Sequence, residues 1–182
     1  MKGGKVNFPM QKNERMTEKK ILAWVKYLPV VGLALLAACA SPPDYPIEPH
    51  IEFLSLSKDT LRRGAFFQDT AFITISFTDG DGDIGDADSL NLFLKDLRTE
   101  SVTKNRIPFV PELGASNGLK GEITVRIFST CCVFDPDLGL DPCVDVHPSL
   151  PVDELIYEMY IVDRAGHQSN KVQTSTIYIP CN

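Results

Sequence analysis

The chain has 182 residues, with 24 Asp+Glu against 18 Lys+Arg, a balance that argues against nucleic acid or anionic lipid held by a basic patch. Seven of the basic and two of the acidic residues fall in 1–38, so the remaining 144 residues carry a net charge of −11. That length suffices for one domain with a real core, and an acidic surface suits cations better than anions.

Lys19, Lys20 and Lys26 precede or interrupt a largely apolar stretch from Ile21 to Ala38. Its uninterrupted part, Val30–Ala38, is nine residues long, whereas a spanning helix needs ~20. A cleaved export signal is therefore expected over 1–38. The stretch closes on Leu36-Ala37-Ala38-Cys39, which resembles the lipobox of bacterial lipoproteins. The resemblance implies cleavage before Cys39, thioether lipidation of its sulfur and acylation of the new amino terminus. More than one acyl chain makes the anchor stable. Ala40, rather than Asp, follows Cys39, which is compatible with sorting to the outer membrane; either face of it stays open. Residues 39–49 contain four prolines and predict an extended, lipidated tether.

From His50 to Asn182 the pattern is alternation between apolar and polar residues, broken by turn residues. Strands are predicted at Ile51–Leu56, at Ala71–Phe77 and at Leu90–Lys95. A weaker one lies within Val102–Val110, and others at Ile123–Phe128, Leu155–Val162 and Lys171–Ile179. About seven strands and no long helical period predict an all-β, immunoglobulin-like antiparallel sandwich. The segment Leu150-Pro151 through Tyr157, followed by Asp163-Arg164-Ala165-Gly166-His167-Gln168-Ser169-Asn170, resembles the end of fibronectin type III and related bacterial immunoglobulin-like domains. That resemblance implies a tyrosine-corner role for Tyr157 and positive φ at Gly166, with His167 where the family usually has Asn. It speaks to fold, not to function.

Between the second and third predicted strands lies Asp79-Gly80-Asp81-Gly82-Asp83-Ile84-Gly85-Asp86-Ala87-Asp88. Five carboxylates fall within ten residues with no basic residue among them. Calcium takes six to eight oxygens, and carboxylates at i, i+2 and i+4 on a glycine-rich loop supply them. The loop resembles the calcium loops of thrombospondin type 3 repeats and the first half of an EF-hand loop. It departs from an EF-hand, because Ile84 and Leu90 stand at the Gly and Glu positions and the flanks are strands. A structural calcium is expected, with Asp79, Asp81, Asp83 and Asp86 as ligands and Asp88 as a further one. The competing expectation is an exposed acidic hairpin without an ion.

Cys131, Cys132, Cys143 and Cys181 make an even set beside Cys39, as expected for two disulfides in an oxidising compartment. One of the adjacent pair is expected to bond Cys143 and the other Cys181. A zinc site from Cys131, Cys132, Cys143 and His147 is the alternative. His50 and His167 are expected at the surface. No catalytic motif is recognisable, and carboxylates sharing one loop make a poor acid–base pair. The chain is therefore expected to be a membrane-anchored envelope module that binds a glycan or protein, not an enzyme. Phe66, Phe67 and Phe109 are candidate contact aromatics. The alternative is a structural or accessory subunit of an envelope assembly.

Overall fold

Strand β2 shows how the alternation becomes structure. In the computed structural model, which describes residues 44–65, 68–110 and 118–182, Ala71, Ile73, Ile75 and Phe77 of β2 (Thr70–Asp79) are buried, while Phe72 between them is 45% exposed. Successive side chains point to opposite faces of a strand, so one face of β2 is core throughout. β2 lies between β1 (His50–Leu56) and β5 (Leu119–Phe128) in a three-stranded antiparallel sheet.

A second antiparallel sheet has the order β4-β3-β7-β8. It comprises β3 (Leu92–Asp96), β4 (Val102–Asn105), β7 (Tyr157–Ile161) and β8 (Val172–Gln173). β6 (Val152–Leu155) pairs with β9 (Ile177–Pro180). The two sheets share one core, in which Ile51, Ile73, Ile75, Leu92, Leu94, Met159 and Ile161 are buried together. Each such side chain is worth ~1.5–3 kcal/mol relative to exposure. The all-β expectation is met. Among the described residues no helix is long and apolar enough to cross a membrane.

The two last predicted strands are each split. Glu158 pairs with Gln173, but Leu155 pairs with Ile177, so the register slips by one residue between the two ladders. Ile156 falls in the gap, where Thr174 accepts from the Tyr157 N–H at 3.1 Å and donates its own N–H to the Tyr157 carbonyl at 3.0 Å. The third predicted strand starts two residues late. Leu90 is exposed, and Asn91 turns inward so that its Oδ1 accepts from the Ile107 N–H at 2.7 Å. The start of the tether and the export signal lie outside the described residues, as does Cys39. From Tyr45 the chain already lies on the domain, and Pro49 is buried.

The disulfides are Cys131–Cys143 and Cys132–Cys181, which removes the thiolates a zinc site would need. The second spans 49 residues and joins the β5–β6 connection to the end of β9. Closing a loop of that length is worth roughly 4 kcal/mol on the chain-entropy account. Arg63 secures the same region by donating to the carbonyls of Asp145 at 2.6 Å and Cys181 at 3.0 Å.

Beside it, Arg98 lies between two carboxylates, 2.7 Å from Asp96 and 2.7 Å from Asp153, with all three side chains nearly buried. Burial opposes the guanidinium charge, yet the two carboxylates outweigh it and hold Arg98 above its ordinary value. Arg98→Ala leaves both carboxylates buried and unpaired. It is expected to lower unfolding free energy by about 3–5 kcal/mol, read from the urea midpoint at constant slope.

Candidate metal centre

The inward face of β2 ends on a carboxylate. Asp79 continues the series Ile73, Ile75, Phe77 and is fully buried. The chain then turns sharply. Gly80 has no room for a side chain, since a Cβ would overlap the carbonyl oxygens of Tyr45 and Pro46, and Gly82 takes a left-handed φ of 74°. This turn returns Asp83 over Asp79, whose Oδ2 accepts from the Asp83 N–H at 2.9 Å.

The fourth member comes from the other sheet. On β7 the inward series Met159, Ile161 leads to Asp163, also buried. Asp79, Asp81, Asp83 and Asp163 each bring one carboxylate oxygen within 4.8 Å of the others. Two unit charges at that distance repel by roughly 3 kcal/mol at an effective dielectric near 20. Two cationic side chains lie nearby, and the charge of Arg164 offsets part of the rise at Asp83. Arg164 directs a nitrogen to the Gly85 carbonyl at 3.0 Å and lies over the Phe109 ring. His167 binds Asp163 alone, through its N–H to Oδ1 at 2.8 Å and its Nδ1 to Oδ2 at 2.9 Å.

Two oxygens of the cluster are buried without a partner, Asp79 Oδ1 and Asp83 Oδ1. Their sister oxygens are fixed by backbone N–H groups, those of Asp83 and of Ala165 at 2.9 Å each. The unpartnered atoms are therefore held in place and left without a donor, an arrangement that costs free energy unless something positive meets them. Burial, and then the charge of Asp81, pushes Asp79 up to about 6. Burial and the neighbouring Asp163 raise Asp83 as well. The cluster could hold a metal ion.

Of the residues expected from the loop, Asp79, Asp81 and Asp83 are brought together, and Asp86 and Asp88 are not among the four. Asp86 uses its Oδ1 to accept from the Asp88 N–H at 2.8 Å, a turn whose hydrogen bonds hold it below its ordinary value. Asp88 is exposed. Asp163 was missed, although the alternation Met159, Ile161, Asp163 signals an inward carboxylate at the end of a strand. His167, its side chain 35% exposed, also braces Asp163, and His50 is exposed. Gly166 has the expected positive φ, 95°. The Tyr157 ring lines a cavity of about 250 Å³ with Leu94, Arg126 and Phe128, and burial pushes its hydroxyl up to about 12. Of the candidate aromatics, Phe109 is exposed beneath Arg164, and Phe66 and Phe67 lie outside the described residues. No family model matches the sequence, and neither the curated proteins nor the solved structures hold a match.

The raised groups fix the sign of a pH response. Asp79 has an ordinary value of 3.8 and a folded value of about 6. Over that window the folded state keeps a proton that the unfolded chain releases, so stability falls as pH rises. Asp83 and His167, raised in the same direction, add to the fall, whereas Asp69, lowered to about 2, acts only below the ordinary carboxylate range. In chelator, the melting temperature is expected to drop between about pH 4.5 and 7. Asp79→Asn removes most of that drop and raises the metal-free melting temperature at pH 7 by on the order of 5 °C.

Proposed function

We propose that this chain is a membrane-anchored lipoprotein of the bacterial cell envelope. In this reading its β-domain is stabilised by calcium and serves as a binding or adhesion module for a glycan or a protein. The observation that carries the calcium part is the pair of buried, unpartnered oxygens on Asp79 and Asp83 within a cluster of four carboxylates. Calcium–oxygen distances of 2.3–2.6 Å set opposite ligands about 4.6–5.2 Å apart and adjacent ones closer, a span that four oxygens lying within 4.8 Å of one another can meet. Magnesium, at 2.0–2.1 Å, asks for a tighter octahedron. Zinc prefers nitrogen and sulfur, and the cluster offers oxygen alone.

The anchor rests on Leu36-Ala37-Ala38-Cys39, and two disulfides suit the oxidising side of a membrane. The strand orders β1-β2-β5 and β4-β3-β7-β8 support the immunoglobulin-like reading, since the chain changes sheets after β2 and again after β4. Loops clustered at the ends of such a sandwich are its usual recognition surface.

Calcium is expected to raise the melting temperature of the metal-free protein at pH 7 and to reverse its fall with pH. Equal melting curves in calcium and chelator, with no heat on titration, would sink the calcium reading. Growth on labelled palmitate should label the wild-type chain and not Cys39→Ala; an equally labelled variant would dispose of the anchor. The binding role is tested by comparing glycan-array binding of the purified protein with pull-down from intact cells. Capture of a partner only within a stable envelope complex would favour the accessory-subunit reading.

A further inference from the structure

The two ends of the first sheet are finished differently. On β1, Asn170 covers the outer edge at Ile51, where its Oδ1 accepts the N–H at 2.8 Å and its Nδ2 donates to the carbonyl at 2.9 Å. On the opposite edge lies β5, ten residues long and, among the described residues, paired with β2 alone. The Ser129 N–H donates to the Asp69 carbonyl at 2.9 Å. Alternation from that bond directs the backbone groups of Ile127, Val125 and Ile123 toward β2 and those of Lys120, Glu122, Thr124 and Arg126 outward. Among the described residues no backbone group bonds these four on the outer side. Such a row is a template for another strand.

The side chains of the same four residues are exposed on the solvent face of the sheet. Charges on an edge strand usually discourage pairing. Here one long antiparallel self-pairing sets opposite charges against each other. Centred on Ile123, Lys120 faces Arg126 of the second copy. Centred on Glu122, that carboxylate faces itself. Centred on Val125, no opposite charges meet. Centred on Thr124, Glu122 faces Arg126 twice across the two-fold axis, and Thr124 faces its own copy. In that register the outward backbone groups of both strands also meet as hydrogen-bonded pairs, because residues of the same parity stand opposite.

We propose that a second copy of this chain is the occupant of the β5 edge, paired antiparallel about Thr124 to join two three-stranded sheets into one of six strands. This goes beyond the calcium and anchor readings and does not depend on either.

The test is sedimentation equilibrium of the full chain in density-matched detergent. The wild type should show a concentration-dependent mass rising to two chains. Glu122→Arg and Arg126→Glu each turn two attractive cross-strand pairs into two repulsive ones, so each should raise the dissociation constant by roughly tenfold or more. The double variant restores opposite charges at the same positions and should return to within about threefold of wild type. A single-chain mass for the wild type at every concentration would overturn the proposal. So would single variants that dimerise as well as wild type, or a double variant no better than the singles.

Discussion

The arrangement of this domain turns on carboxylates placed where a strand's inward face runs out. Period-two alternation makes one face of each strand core, and the residue after the last apolar one inherits that direction. Three times among the described residues that position is an aspartate, Asp79 after Phe77, Asp163 after Ile161 and Asp96 after Leu94, and Asp153 holds the mirror position before Leu155. A charge at the margin of a core must be paired, hydrogen-bonded or neutralised. Everything distinctive about the two ends of the sandwich follows from how that requirement is met.

At one end the chain supplies the cation itself. Arg98, two residues beyond Asp96 on the β3–β4 turn, reaches both Asp96 and Asp153. The cysteine region is tied into the same knot, since Arg98 also approaches the Cys131 carbonyl at 3.4 Å and Asp153 accepts the Val133 N–H at 2.8 Å. At the other end, Asp79 and Asp163 come from different sheets and draw in Asp81 and Asp83. Arg164 is adjacent, but its guanidinium reaches the Gly85 carbonyl and covers Phe109. It thus helps hold the loop from Gly80 to Asn91 in place around the carboxylates.

Much of this is legible in the sequence. The alternation in Ala71–Phe77 and Ile123–Phe128 read correctly because a half-buried strand leaves a clean period of two. Asp79, Asp81 and Asp83 are brought together as their spacing suggests, because spacing of two on a glycine turn is local chemistry. Asp86 and Asp88 share that spacing, yet local turn bonding commits Asp86 to the Asp88 N–H. Asp163 lay eighty residues away from the loop, and only the pairing of β3 with β7 puts its end of the strand beside Asp83. The parity of Met159 and Ile161 marks it as inward but not where. Arg98 was invisible for the same reason, since Asp153 reaches it only through the fold. Leu90 misled because it continues an alternation that Asn91 ends by turning its amide inward.

The two ends therefore differ in what their stability depends on. Arg98, the two disulfides and Arg63 are covalent or internal ties, and all gather at the end where β6 and β9 meet the Cys131–Val146 region. At the Asp79 end, backbone hydrogen bonds, the His167–Asp163 pair and Arg164 on the Gly85 carbonyl are set against the mutual repulsion of the carboxylates. On the calcium reading, its missing tie comes from solution, and binding free energy at ligands drawn from both sheets is folding free energy for the contact between them. The part of the domain free to open without its ion is then the loop after β2 and the turn after β7. These elements carry the cluster and lack a covalent cross-link, and local opening is set by such ties. The cross-linked end and the shared core would keep their contacts, so ion exchange would remodel one rim of the sandwich without unmaking the fold.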